Sequence, residues 1–137
     1  MRNDRGNASV EFIAVCIALL LPIAYAIVAI AQLQSAVYGV NGAAQMAGRA
    51  FVQSGSESTA RYAAVRSAAI AGRNHGLVVT ASDVAIECAA LECLVPGRAV
   101  RITVRSTVRL GLAGMVWSVP LRAVHATVVD EFRQAPA

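Results

Sequence analysis

Glu11 is the residue whose position most needs a chemical explanation. It stands directly before an uncharged run, since no Asp, Glu, Lys or Arg occurs between Phe12 and Gly48. The first 20 residues of that run, 12–31, are almost wholly apolar. An ionised carboxylate at the edge of a lipid-soluble segment needs a partner or must stay at the water interface. Glu11 is therefore a candidate for an electrostatic contact at a membrane boundary.

Cys88 and Cys93 form a second candidate for chemistry, with four residues between them. Outside a reducing compartment such a pair predicts a disulfide that closes a small loop, and the alternative is two free thiols. His75 and His125 are distant from both in sequence, so no metal site is predicted. Cys16 lies in the apolar run, where a thiol behaves as a small apolar side chain.

No catalytic constellation is recognisable in the chain. Ser, His and Asp occur at no spacing that suggests a nucleophile with its base, and no phosphate-binding loop is present. The net charge of +4 is mild and aromatic residues make up 5% of the chain. A nucleic-acid surface would need a basic patch with aromatic platforms. The sequence therefore predicts neither an enzyme, nor a cofactor, nor a nucleic-acid partner.

The elements that position these residues begin with the apolar run. A helix of 20 residues is about 30 Å long, which is the thickness of a bilayer core. Arg2 and Arg5 precede it, whereas the next basic residue is Arg49. The positive-inside rule then places the N-terminus in the cytoplasm and the rest of the chain outside the cytoplasmic membrane, which the chain crosses once.

Beyond the run, apolar residues continue at helical spacing. The seam consists of Leu33, Val37, Val40, Ala44, Ala47 and Phe51. Small residues along it permit close helix–helix approach. We expect one long helix over 9–52, with its first half in lipid and its second half protruding.

The distal part predicts a small α+β domain. A second, short helix is expected over 59–73, with Tyr62, Val65, Ala69 and Ile70 facing inward. Strands are expected over 84–87, 99–110 and 121–132, with a type II turn over 95–98 and a loop around 111–114. A three-stranded antiparallel sheet with one helix over its apolar face would bury these residues.

The strand over 99–110 alternates most clearly. Val100, Ile102, Val104 and Val108 point one way, and Arg101, Thr103, Arg105, Thr107 and Arg109 point the other. The arginine stripe is either a solvated face with cross-strand partners such as Asp83 and Glu87, or a surface for an acidic partner. In the last strand Val124, Ala126 and Val128 alternate against His125 and Thr127, with His125 expected at the surface.

The stretch Arg5-Gly6-Asn7-Ala8-Ser9-Val10-Glu11-Phe12 resembles the N-terminus of type IV prepilins. These carry a short basic leader ending in Gly, then four residues, then Glu and an apolar run. The resemblance implies cleavage between Gly6 and Asn7 by a prepilin peptidase, often followed by N-methylation of the new terminus. Glu11 and Phe12 would then serve in assembly, with Glu11 meeting the Asn7 amine of a neighbouring subunit.

The layout of the whole chain is similar to that of TadE-like proteins of tight-adherence (Flp, type IVb) pili. These combine one N-terminal membrane helix with a helical continuation and a small β-rich end close to acidic residues, here Asp130 and Glu131. The resemblance implies a minor pilin or pseudopilin with a leader (1–6), an assembly helix (7–53) and an extracytoplasmic domain (54–137). Its partners would be the peptidase, other pilins, the inner-membrane assembly platform and the bilayer, and it would reach the cell surface within a pilus.

Two alternatives to a pilin N-terminus remain open. The N-terminus is otherwise a plain signal anchor or a cleaved secretory peptide. Secretory peptides usually have shorter apolar regions than this one. An anchored chain would serve as an extracytoplasmic binding or accessory module that is not assembled into a fibre.

Overall fold

The structure is a computed structural model that describes residues 8–89, 91–112 and 114–132. Helix α1 (Ala8–Val52) is 45 residues long and continues through Pro22. Helix α2 (Glu57–Arg73) follows, and a short 3-10 helix (Ala81–Asp83) precedes strand β1 (Val84–Cys88). Strands β2 (Ala99–Leu112) and β3 (Met115–Val128) complete the chain. This confirms the predicted α+β layout of a long helix, a shorter helix and three strands.

The sheet is antiparallel throughout, with the order β1-β2-β3. Its register pairs Ile86 with Ile102 and Val104 with Ala123. The predicted type II turn is present, since the Arg98 amide donates to the Val95 carbonyl at 3.2 Å and Gly97 has a φ of 71°. Glycine suits that position because the turn needs a positive φ there.

The β2–β3 hairpin is longer than expected, and the prediction of a loop around 111–114 was wrong. The strands pair as far as Leu112 and Met115. Strand β3 therefore begins six residues earlier than predicted and contains Pro120. A proline is tolerated there because β3 is an edge strand and its outer side has no ladder partner to lose.

The core lies between the inner face of the sheet and the C-terminal half of α1, and α2 covers the remaining side of this half. Its largest fully buried side chains include Phe51, Leu77, Ile102 and Val104. On the α1 side most buried residues are small: Ala36, Gly39, Ala43, Ala44, Ala47 and Gly48. A helix lined by small side chains lets a neighbouring element approach its backbone closely, so this core is thin and tightly packed.

Helix α2 packs with a different face from the one predicted. Its buried residues are Ala60, Ala64, Ala68 and Gly72. Tyr62 and Ile70 are instead exposed, at 67% and 45%. Two helices that meet through alanines and glycines leave no room for a tyrosine between them, so the larger side chains lie outside the contact.

Candidate functional site

Glu11 lies in the first turn of α1, Phe12 directly follows it, and both are exposed. A carboxylate in the first turn interacts favourably with the positive end of the helix dipole. Within residues 8–89, 91–112 and 114–132, Glu11 makes no ion pair. The predicted cleavage residues Gly6 and Asn7 lie outside the described residues.

The first half of α1 is apolar and uncovered. None of its most apolar stretch is buried by the rest of the protein. The exposed large side chains from Val10 to Ile30 include Phe12, Ile17, Leu20, Ile23 and Ile27. By length and composition this helix is able to cross a membrane.

The second half of α1 is covered by the protein's own domain. Val40, Ala44, Ala47 and Phe51 of the predicted seam are buried, whereas Val37 is 40% exposed. Ala36, Gly39, Ala43 and Gly48 are buried as well. The buried surface is wider than one seam because α2 and the sheet contact α1 from two directions. The small residues of this half thus serve contacts within the chain.

His125 is not the surface residue that was predicted. It is half-buried, and a Cβ built on Gly48 would lie 2.9 Å from its Cδ2 atom. Val124 and Val128 are 50% and 56% exposed on the opposite face. The assignment of faces in β3 was therefore wrong. Register decides it: His125 pairs with the inward-facing Ile102, and Val124 pairs with Thr103 of the outer face.

The outer face of the sheet carries the arginine stripe. Arg101, Arg105 and Arg109 of β2 are exposed there, and Arg122 of β3 lies directly opposite Arg105. Glu87 of β1 lies directly opposite Arg101, as predicted, but neither Glu87 nor Asp83 forms an ion pair with these arginines. Asp83 instead accepts hydrogen bonds from the Thr80 hydroxyl (2.6 Å) and the Thr80 amide (2.8 Å). The Glu57–Arg61 pair (2.8 Å) is the one salt bridge within the described part of the chain.

The Asp83 contacts have an electrostatic consequence. The hydrogen bond from the Thr80 hydroxyl, followed by that from the Thr80 amide, holds the pKa of the Asp83 carboxyl below its usual value. Hydrogen bonds donated to a carboxylate favour its charged form. Asp83 thereby caps the short 3-10 helix that leads into β1.

Cys88 and Cys93 are joined as a disulfide in the structure, with 5.1 Å between their Cα atoms. Cys93 is buried, and an Arg61 nitrogen lies 3.8 Å from its sulfur. The bridge ties the end of β1 to the segment that passes beneath the start of α2. Cys16 is a free, half-buried thiol in α1.

Sequence reasoning missed one feature, the tip of the β2–β3 hairpin. Met115, Val116 and Trp117 are apolar and 48–64% exposed. The residues from Leu110 to Trp117 carry no charge, which is unusual for an exposed turn. The uncharged stretch could have indicated an apolar surface at the tip of the hairpin. The prediction of a loop in this region did not consider that surface.

The chain was compared with known proteins in three ways. No family model, no curated protein and no solved structure matches it.

Proposed function

We propose that this chain is a minor pilin, or pseudopilin, that resembles the TadE-like proteins of tight-adherence pili. The observation that carries the proposal is the division of α1 into two halves. In the first half, which follows Glu11, the large apolar side chains are exposed, while the second half packs one face against the protein's own domain. A subunit built in this way is held in a membrane by one end of its helix and presents a folded domain at the other.

The proposed mechanism depends on processing. Cleavage after Gly6 creates a cationic α-amine at Asn7, four residues before the exposed Glu11. In lipid, a contact between that amine and Glu11 of a neighbouring subunit is more favourable than either charge alone. The contact also sets the register between adjoining helices. We place the N-terminus in the cytoplasm and the domain outside, following the arginines of the leader.

Mass spectrometry of the mature N-terminus tests this proposal. In cells with an active prepilin peptidase we expect a chain that begins at Asn7, with or without a methyl group. Recovery of Met1 under the same conditions would contradict the proposal and favour a simple anchor. A start near residues 34–37 would favour secretion instead.

Variants of Glu11 test the assembly step separately. Glu11→Gln keeps the shape of the side chain and removes its charge, so we expect processing to continue while co-purification with pilins is lost. Glu92→Gln is a matched control, because Glu92 is exposed on the distal domain. Wild-type co-purification of Glu11→Gln would rule out the charge contact.

The second candidate is an anchored accessory module. It is favoured by the opposition of Arg105 and Arg122 on the outer face of the sheet, since neither forms an ion pair within the described residues. Arg101 has an acidic cross-strand neighbour in Glu87, so an acidic partner would bind at the Arg105–Arg122 pair. Such a module would keep its anchor and would not co-purify with pilins.

A further inference from the structure

The β2–β3 hairpin extends beyond the helices that cover it. On its inner face Val100, Ile102 and Val104 are fully buried. Trp117 continues the same face, because its partner Leu110 lies on the inner face of β2, and Met115 lies two residues before Trp117 on the same face of β3. Both are nevertheless about half exposed, at 48% and 55%. The apolar face therefore runs on past the end of the core.

Two contacts give the direction of this extension. Gly48 of α1 lies against His125 of β3, and Gly39 lies against Leu77, each within 3.1 Å of a Cβ built on the glycine. The Val78 carbonyl, next to Leu77, accepts a hydrogen bond from the Ser106 hydroxyl at 3.0 Å. Ser106 pairs with Leu121. Leu121 therefore lies closer to the N-terminal half of α1 than His125 does, and residues that precede Leu121 in β3 lie farther in the same direction.

The rise per residue gives the reach of the tip. Gly48 to Gly39 covers about 13 Å of helix, and His125 to Leu121 covers about 13 Å of strand, so the two run nearly parallel. Trp117 lies about 13 Å beyond Leu121, which is the level of Ile30 on α1. Met115 lies about 20 Å beyond Leu121, near the level of Ala26. These levels coincide with the distal end of the apolar run over 12–31.

We propose that the hairpin tip, formed by residues 110–112 and 114–117, inserts into the interface of the bilayer that α1 crosses, on the side where the domain protrudes. Tryptophan favours this layer, where its ring lies among headgroups and its N–H meets water. The insertion is shallow, because the tip is a two-stranded ribbon with unpaired backbone groups on both edges, which hydrocarbon does not tolerate. This inference rests on the proposed membrane anchorage and is independent of assembly into a pilus.

The arrangement of charge along the hairpin favours a lipid surface over a second copy of the chain. Two positions with arginine follow the uncharged tip along the hairpin, in the direction of the core. The first is Arg109, which lies opposite Ser118, and the second is Arg105, which lies opposite Arg122. Guanidinium groups bind phosphate well, and lipid headgroups supply phosphate at that height. The exposed half of α1 in a second copy would offer apolar contact, but its acidic residue, Glu11, lies at the other end of the run.

The chain contains a native probe for this test, because Trp117 is its single tryptophan. We would reconstitute the full chain into phosphatidylcholine–phosphatidylglycerol vesicles with or without bromine on the acyl chains. We expect brominated lipid to cause a loss of Trp117 emission and the bilayer to protect Trp117 from aqueous acrylamide. The matched control is Trp117→Phe combined with Tyr62→Trp, since Tyr62 is exposed on α2 far from the tip. Its emission should be lost to acrylamide and unaffected by bromine.

Two outcomes overturn the inference. Emission of Trp117 that acrylamide quenches and bromine does not would place the tip in water. Emission protected from both quenchers would indicate burial against another copy. Alkaline carbonate extraction of the vesicles distinguishes these outcomes from a failure of the membrane anchor. A chain that carbonate extracts would refute both the anchor and the insertion of the hairpin. A chain that stays in the membrane while bromine does not quench Trp117 would refute hairpin insertion alone.

Discussion

His75 stands directly over Gly39, so that a Cβ built on Gly39 would lie 2.6 Å from the Cβ of His75. The Ser35 hydroxyl oxygen is 3.2 Å from Nδ1 of the same ring. Because a Cβ atom moves only with its backbone, no side-chain rotation relieves such an approach. The end of α2 is therefore held at one level of α1 by a glycine.

Replacing Gly39 by alanine is expected to destabilise the domain. Overpacking of this kind costs about 1–3 kcal/mol, and urea unfolding followed by circular dichroism in detergent micelles measures it. Gly42→Ala is the matched control, since a Cβ there meets nothing within 4 Å. It should stabilise the helix by roughly 0.5–1 kcal/mol. Equal effects of the two substitutions would contradict the close contact.

The disulfide gives a second prediction. Cys88→Ala combined with Cys93→Ala should lower the free energy of unfolding by about 2 kcal/mol, from the entropy of a short closed loop. Cys16→Ala, which removes the free thiol, is the control and should have a smaller effect. Alkylation and mass spectrometry of the denatured protein should label one cysteine before reduction and all three after it. Three labelled cysteines without reduction would show that the bridge is absent.

Asp83 gives a prediction about acid stability. The hydrogen bonds from the Thr80 hydroxyl and amide hold the pKa of the Asp83 carboxyl below its ordinary value in the folded state. A lowered pKa contributes stability that is present above the unfolded-state value and is lost as pH falls through the folded-state value. Thr80→Val removes the hydroxyl donor and retains the amide, so part of this contribution should disappear.

The measurement is urea unfolding from pH 6 down to the acid side of that window. The difference between wild type and Thr80→Val should shrink as the pH falls below about 4. In an Asp83→Asn background, the difference in the free energy of unfolding between the protein with Thr80 and the Thr80→Val variant should no longer depend on pH. A difference of constant size at every pH would refute the linkage.

The opposition of Arg105 and Arg122 gives a fourth prediction. Like charges at directly opposite positions in a sheet repel, and opposite charges attract by roughly 0.2–1 kcal/mol. Arg122→Glu should therefore stabilise the detergent-solubilised domain by a similar amount at low salt, and the gain should diminish as salt screens it. Arg66→Glu on the exposed side of α2 is the control. A gain that is independent of salt would point to a cause other than charge.

The order and type of the elements were predictable because each leaves a strong local pattern. An uncharged run of 37 residues predicts a long helix that lies in a membrane or is buried in the protein. Strict alternation in residues 99–109 predicts a strand. The turn at Pro96-Gly97 was equally clear, since its geometry depends on two residues with special backbone preferences. The outer position of Thr103 also followed from alternation, although its near-complete burial by neighbouring strands did not.

The faces of the elements were less predictable. Hydrophobicity suggested that Tyr62 and Ile70 of α2 face inward, yet alanines occupy the contact because the partner helix is also lined with small residues. In β3 both faces carry apolar side chains, so alternation alone cannot choose between His125 and Val124. The pairing with β2 makes that choice, and pairing is a non-local property.

The sequence by itself determined that a long apolar helix precedes a small α+β domain and that Glu11 lies near the start of this helix. Both features depend on local composition and on the period of the apolar residues. The tertiary structure alone decided which faces of α2 and β3 are buried and how far the hairpin reaches beside α1. The physical reason is that packing matches shapes between segments distant in sequence. Gly39 under His75 and Gly48 under His125 align the domain with the helix, and that alignment carries Trp117 towards the end of the apolar run of α1.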